Sequence, residues 1–233
     1  MPDLSIVVFA YNEAENADAV LRELVAWLKS NDTNSEIVFV DDGSTDPTSR
    51  VAAATLRDLN FPHALVRHET NRGIGAALKS GVAAAGGEWV TFMPCDGQIA
   101  PAAIGTLRAC QSRDEADVVL SVYDHRDDGV HRKVLSMGVR ALILVVHGVR
   151  LESDGPYLFR RSLFDAEQLR PDTFFLNFEF PIRVLAAGLH VSTVTIACRP
   201  RRAGASKSAS LKRVVGVAKD LVDLRVRRIR DLF

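Results

Sequence analysis

Four times before residue 100 a short apolar, β-branched run gives way to a turn and then to a helical pattern. Leu4 to Ala10 suits a strand buried on both faces, and Glu15 to Ser30 then carries Val20, Leu21, Leu24, Val25 and Leu28 at helical spacing. Glu36 to Val40, His63 to His68 and Glu88 to Met93 read as further strands. Between them, Ser49 to Leu59 and the Ala-rich Ile74 to Ala85 read as helices, the first after Asp46-Pro47 and the second ended by Gly86-Gly87. Such alternation admits one economical answer: an α/β fold with a Rossmann-like, mostly parallel sheet, right-handed crossovers and helices on both faces. Ligands of such sheets collect at the carboxyl ends of the strands. Beyond Ala100 the pattern predicts a helix (Ala102 to Ser112), a strand (Asp117 to Val122), a polar loop (Tyr123 to Gly129), a helix (Arg132 to His147) and a strand (Tyr157 to Arg160). A helix at Phe178 to Ala187 and a strand at His190 to Ala197 complete the core. With no internal repeat and no linker, residues 1–210 read as one domain and residues 211–233 as a basic amphipathic helix.

Charge and cysteine usage narrow the setting. Twenty-nine basic residues balance twenty-nine acidic ones, so no global field draws the chain to nucleic acid, and a membrane contact must come from a local cluster. Cys95, Cys110 and Cys198 are odd in number and lack C-x-x-C or metal-finger spacing, which points to a reducing, cytoplasmic compartment. No signal peptide is evident at Met1 to Val8, and the apolar run Ala141 to Val146 is far shorter than the roughly 20 residues a membrane helix needs.

The chemistry-bearing residues cluster after the strands. Tyr11-Asn12-Glu13 follows the first: a tyrosine that can stack on a base or ribose and a carboxylate that can accept from N–H or hydroxyl groups. Taken alone, this segment reads as a helix start capped by Asn12. Asp41-Asp42-Gly43-Ser44 follows the second strand; Asp42 is a base or ribose ligand or part of an ordinary tight turn. Pro94-Cys95-Asp96-Gly97-Gln98 follows the fourth, where Asp96 and Gln98 offer two hard oxygen ligands that suit Mg²⁺ or Mn²⁺ with positions left open for a diphosphate. It too reads equally as a surface turn when taken alone. The six histidines have no metal-ligand spacing and read as structural or surface residues.

Together, and in this order and spacing, the segments resemble the P-x-Y-N-E, D-D-G-S and D-x-D-x-Q motifs of the inverting family 2 glycosyltransferases with the GT-A fold. Asn71-Arg72-Gly73-Ile74-Gly75 is similar to that family's glycine-rich turn. Arg201 to Lys207 matches the R-x-x-G-x-S-K segment of the polyprenyl-phosphate, dolichyl-phosphate mannosyltransferase-like branch, so the resemblance runs from residue 4 to residue 210. It implies a UDP- or GDP-sugar donor at Tyr11, Glu13 and Asp42, with backbone around Phe9, Val40 and Cys95 lining the pocket. It further implies Mg²⁺ or Mn²⁺ at Asp96 and Gln98, Arg201 and Lys207 on phosphates, and Arg132 at the acceptor phosphate. Glu179 matches an acidic position of the branch. Three departures stand out: Phe9-Ala10 replaces the usual proline, Pro94 replaces the first Asp of D-x-D, and Leu120-Ser121-Val122-Tyr123 lacks an expected arginine that Arg126 could replace.

A hydroxyl acceptor must lose a proton to a base, whereas a lipid phosphate is already anionic. Few base candidates are visible, which favours a polyprenyl-phosphate acceptor. The rivals are a family 2 enzyme that acts on a hydroxyl with Glu179 or Asp154 as base, and a catalytically weakened nucleotide-binding protein, as Pro94 suggests. A nucleotidyltransferase is disfavoured because Tyr11-Asn12-Glu13 occupies the place of its glycine-rich first loop. Residues 211–233 carry an apolar stripe and seven basic residues against three acidic ones. They read either as a helix packed on the domain or on a second subunit in a homodimer, or as an interfacial helix at the inner face of the membrane. On the second reading, truncation after Ser210 removes lipid binding and leaves donor binding.

Overall fold

A computed structural model of the chain describes residues 1–31, 34–124, 130–169, 172–200 and 211–230, with backbone alone at 130–136, 211–215, 218, 229 and 230. The strands are β1 (Leu4–Ala10), β2 (Ser35–Asp41), β3 (His63–Arg67), β4 (Trp89–Pro94), β5 (Val118–Tyr123), β6 (Leu158–Arg160) and β7 (Val191–Ile196). The helices are α1 (Ala14–Ser30), α2 (Thr48–Asp58), α3 (Ile74–Ala84), α4 (Ala102–Asp114), α5 (Val130–His147), α6 (Leu176–Ala186) and α7 (Leu211–Arg230). One sheet runs in the order β3-β2-β1-β4-β6-β5-β7. Every pairing is parallel except those of β6, which runs antiparallel to both β4 and β5. The sequence predicts the strand at Tyr157 to Arg160 but not its direction: the three residues of β6 carry no directional signal, and only the return path of the chain from α5 decides which way they run.

Both faces of the sheet are covered. Ile6, Val8, Phe39 and Trp89 pack with Leu21 and Leu24 of α1, Leu56 of α2 and Leu107 of α4. On the other face Val7, Val38, Phe92 and Phe159 pack with Leu78 of α3, Ile143 of α5 and Phe180 of α6. Period-two alternation along β1 thus feeds two cores at once, which is why Ile6 to Ala10 read as one continuous apolar run. Leu221 and Leu224 of α7 belong to the second cluster and are fully buried. No helix of the described residues is long and apolar enough to cross a membrane.

The connections reverse direction between β1 and β4, since β2 and β3 lie to one side of β1 and β4 to the other. A crevice opens at the carboxyl ends of strands at such a switch point.

Candidate active site

The loops after β1, β2 and β4 meet at this crevice and are hydrogen-bonded shoulder to shoulder. The Asp42 amide donates to the Ala10 carbonyl (2.9 Å) and the Cys95 amide to the Phe9 carbonyl (3.0 Å), which extends the β-ladder one residue into each loop. Phe9 packs toward Phe92, and Val40 is fully buried.

Asn12 does not cap α1. It sits at φ +53°, and its Oδ1 accepts from the amides of Thr45 (2.8 Å) and Asp46 (3.4 Å), while its own amide donates to Ser44 Oγ (2.9 Å). The Glu13 amide donates to Thr48 Oγ1 (2.9 Å) and that of Ala14 to Asp46 Oδ2 (3.2 Å). Much of the polarity in the two segments therefore knits one loop to the other and fixes where Tyr11 and Glu13 stand at the rim. Glu13 occupies the cap position and accepts from Asn16 Nδ2 (2.6 Å). Burial, and then the charges of Glu13 and Asp96, push the Cys95 thiol well above its ordinary range. The carboxylates of the first and third loops thus bear on one buried spot.

Asp42 is buried and is engaged by three donors. Its Oδ1 meets His68 Nδ1 (2.7 Å) and the Arg72 amide (2.9 Å), and its Oδ2 the Gly73 amide (2.8 Å). His68 in turn reaches Ser80 Oγ through Nε2 (2.9 Å). The carboxylate clamps the glycine-rich turn to the β2 loop, and His68, buried, holds it from behind. Its neighbour Asp41, also buried, accepts the Ser44 amide on Oδ1 (2.9 Å). Asp41 Oδ2 has no hydrogen-bond partner, with Arg67 Nε 3.5 Å away.

Two glycines of these motifs are sterically required. A Cβ on Gly43, at φ +72°, would lie 2.3 Å from the Thr70 carbonyl carbon, and one on Gly75 would lie 2.5 Å from the Thr173 carbonyl oxygen. The second contact comes from the segment before α6, which lies across the glycine-rich turn. Asp172 there ion-pairs with Lys79 (3.0 Å) and Arg72 (3.3 Å). Burial works upward on its carboxyl, but the two cations outweigh it and hold the group below the usual carboxylate range. Asp41, His68 and Asp172 were not singled out in the sequence. Asp172 had no signal there, because its partners lie about a hundred residues away.

Asp96 is buried, with Oδ1 accepting the Gln98 amide (3.0 Å), while the Gln98 carbonyl accepts the Arg199 amide (2.8 Å). Ile99 and Cys198 form an antiparallel bridge. The segment Cys198-Arg199, just before the basic residues of the sequence Arg201 to Lys207, is therefore tied directly to the third motif. Arg201 and Lys207 lie outside the described residues, and Arg132 is described only as backbone in the first turn of α5. Among the described residues no three His, Cys, Asp or Glu side chains are grouped to hold a metal. One carboxylate and one amide oxygen, with Pro94 in place of a second acid, are hard donors that fit Mg²⁺ or Mn²⁺ when a ligand's phosphates complete the shell.

The two base candidates are both ion-paired. Glu179 is fully buried, bound by Arg183 Nε (3.0 Å) and by both terminal nitrogens of Arg227 (3.1 and 3.2 Å); it joins α6 to α7 and cannot reach an acceptor. Asp154 is paired with Arg140 Nη2 at 2.6 Å.

The family model for glycosyl transferase family 2 matches residues 5–185. The chain belongs to that family. This family 2 chain is 28% identical over 222 residues to the undecaprenyl-phosphate 4-deoxy-4-formamido-L-arabinose transferase of Pseudomonas fluorescens, an alignment covering 94% of the chain and 64% of that protein. It is 33% identical over 182 residues to a dolichyl-phosphate beta-glucosyltransferase of Trichomonas vaginalis, covering 68% and 54%. The chain thus spans roughly half to two-thirds of the length of these curated relatives. In structure it overlays the glucosyl-3-phosphoglycerate synthase of Mycobacterium tuberculosis, solved with Mn²⁺, uridine diphosphate and phosphoglyceric acid, with a TM-score of 0.71 at 20% identity, covering 97% of this chain and 78% of that one. The shared architecture is the GT-A fold.

Proposed function

We propose that this family 2 chain transfers a sugar, with inversion, from a UDP- or GDP-sugar to a polyprenyl phosphate on the cytoplasmic side of a membrane. The observation that carries the acceptor class is the state of the two base candidates. Glu179 and Asp154 are both committed to arginines, and Glu179 has no exposure at all. An acceptor that arrives as an anion needs no base. A phosphate oxygen attacks C1 from the face opposite the nucleotide, the bond from C1 to the diphosphate oxygen breaks, and the nucleoside diphosphate leaves with the electron pair; no proton has to be removed. The names of the relatives support the same acceptor class.

Tyr11 and Glu13 flank the nucleoside at the crevice rim, and Asp42 acts by fixing the glycine-rich turn beside it. Asp96 and Gln98 would hold the divalent ion, which when bound would supply charge neutralisation on the diphosphate. Arg132, Arg201 and Lys207 bind phosphates. Screening UDP- and GDP-sugars with Mn²⁺ by thermal shift tests the donor, since a ligand at 100 times its Kd stabilises by about 2.7 kcal/mol. Transfer from the donor so found to a short, water-soluble prenyl phosphate, and not to sugar or peptide hydroxyls, is the expected result. Transfer to hydroxyls alone would overturn the acceptor class, and donor binding without transfer or hydrolysis would favour the catalytically weakened reading that Pro94 suggests.

A further inference from the structure

Helix α5 presents an apolar face to solvent between Met137 and Val145. On α5 the buried side is formed by Ile143 and His147, yet Val145 is 83% exposed, Met137 61% and Leu144 51%. Gly138 and Ala141, also exposed, lie between them on the same face, so among the described residues from Met137 to Val145 no polar side chain breaks it. Single exposed apolar residues are ordinary, but a continuous stripe marks an interaction surface. Beside it runs α7, joined through His147 Nε2 to the Leu221 carbonyl (3.0 Å), with Val222 and Val226 exposed as well.

Charge selects what covers this face. Helix α5 contains Arg132, Lys133 and Arg140 and no acidic residue, while α7 contains seven Lys or Arg against Asp220 and Asp223. The whole chain is neutral, so these two helices hold a surplus that the rest of the molecule balances. A second copy of the chain would bring that surplus against itself. An anionic bilayer offers hydrocarbon to the stripe and acidic headgroups to its basic surroundings. Helix α5 also starts from the carboxyl edge of the sheet, and its Arg140 holds Asp154 next to the β5 end, where the Asp154 amide donates to the Ser121 carbonyl. We infer that the α5 face, flanked by the basic residues of α7, seats this protein on an anionic phospholipid surface. The contact is then made mainly by α5, and not by a detached tail helix. The inference rests on the polyprenyl-phosphate reading for its purpose, since such an acceptor lies in a bilayer.

The test uses the full chain without donor or acceptor. It should co-sediment with phosphatidylglycerol-containing vesicles at low salt, much less with pure phosphatidylcholine vesicles, and less again as salt is raised. The double variant Leu144→Ser/Val145→Ser, and Met137→Ser separately, should lower the partition coefficient, the former about tenfold or more, at an unchanged melting temperature. Absence of binding, or binding equal in wild type and variants, would overturn the inference. So would a wild-type dimer that the variants convert to monomer in sedimentation velocity, since that makes the stripe an interface between copies. Transfer to a short, water-soluble prenyl phosphate separates the two claims: it should survive in the double variant, and its failure in the wild type bears on the proposed function alone.

Discussion

Asp96 and Asp42 are both buried carboxylates at strand ends, yet their surroundings give them different work. Asp96 has one oxygen on the Gln98 amide, and its charge, with that of Glu13, weighs on Cys95. Asp96→Asn keeps the shape and removes the charge, so affinity for donor plus Mn²⁺ should fall at least about tenfold, or ~1.4 kcal/mol, in titration calorimetry while the melting temperature changes little. Gln98→Ala should weaken it less, because a neutral amide contributes less to a dication. Unchanged affinity in Asp96→Asn would remove this residue from the metal. Asp42 is different in kind: three donors converge on it, and an asparagine there must turn an NH₂ group toward at least one of them. Asp42→Asn should cost about 2–4 kcal/mol in chemical denaturation, well beyond the change for Asp96→Asn, and should raise the donor KM through the loosened turn.

Between elements, the junction of α5, α6 and α7 rests on two buried polar contacts. Glu179→Gln leaves Arg183 and Arg227 facing a neutral group in a buried site, and should destabilise the chain by about 3–5 kcal/mol by denaturation. Limited proteolysis would then cut first within α7. The other contact is His147, whose Nε2 donates to the Leu221 carbonyl while Nδ1 is buried without a partner. A proton added to Nδ1 would find no acceptor. Burial lowers its pKa from the ordinary 6.5, and Arg228 and Arg225 add to that effect against a partial offset from the Leu221 carbonyl and Glu179. With the folded value below the unfolded one, the unfolded chain takes up the proton first. Stability is therefore complete above about pH 6.5 and declines as pH falls through and below it. His147→Gln, which keeps a donor for Leu221 and cannot titrate, should show a smaller loss of melting temperature between pH 7.5 and 5.5 than the wild type. An equal loss would assign the acid sensitivity to other groups.

At the level of the whole molecule, the sheet binds two cores into one unit, and α7 is part of the second. Truncation after Ser210 removes Leu221 and Leu224, each fully buried, and leaves Glu179 without Arg227. Losing either leucine alone costs on the order of 2–5 kcal/mol. The truncated chain should therefore lose its cooperative melting transition and its donor binding with it, where the interfacial-helix reading of the sequence has donor binding survive; a sharp, unchanged transition would return α7 to the role of an appendage. The sequence by itself determined the strand and helix series, the two-faced sheet and the three loop segments, because apolar periodicity and turn chemistry are local and each strand end carries its own acidic residue. It also carried the family resemblance, through motifs at fixed order and spacing. Only the tertiary structure decided that β6 runs antiparallel, that Asn12 bridges two loops in place of capping a helix, and that Asp42 is held by His68. It alone placed Asp172 over the glycine-rich turn, locked Glu179 between two arginines, and left Met137, Leu144 and Val145 of α5 exposed while Leu221 and Leu224 of α7 were buried. Each of these depends on which distant residue arrives opposite a given side chain, and a carboxylate reads the same in sequence whether an arginine or a ligand comes to meet it.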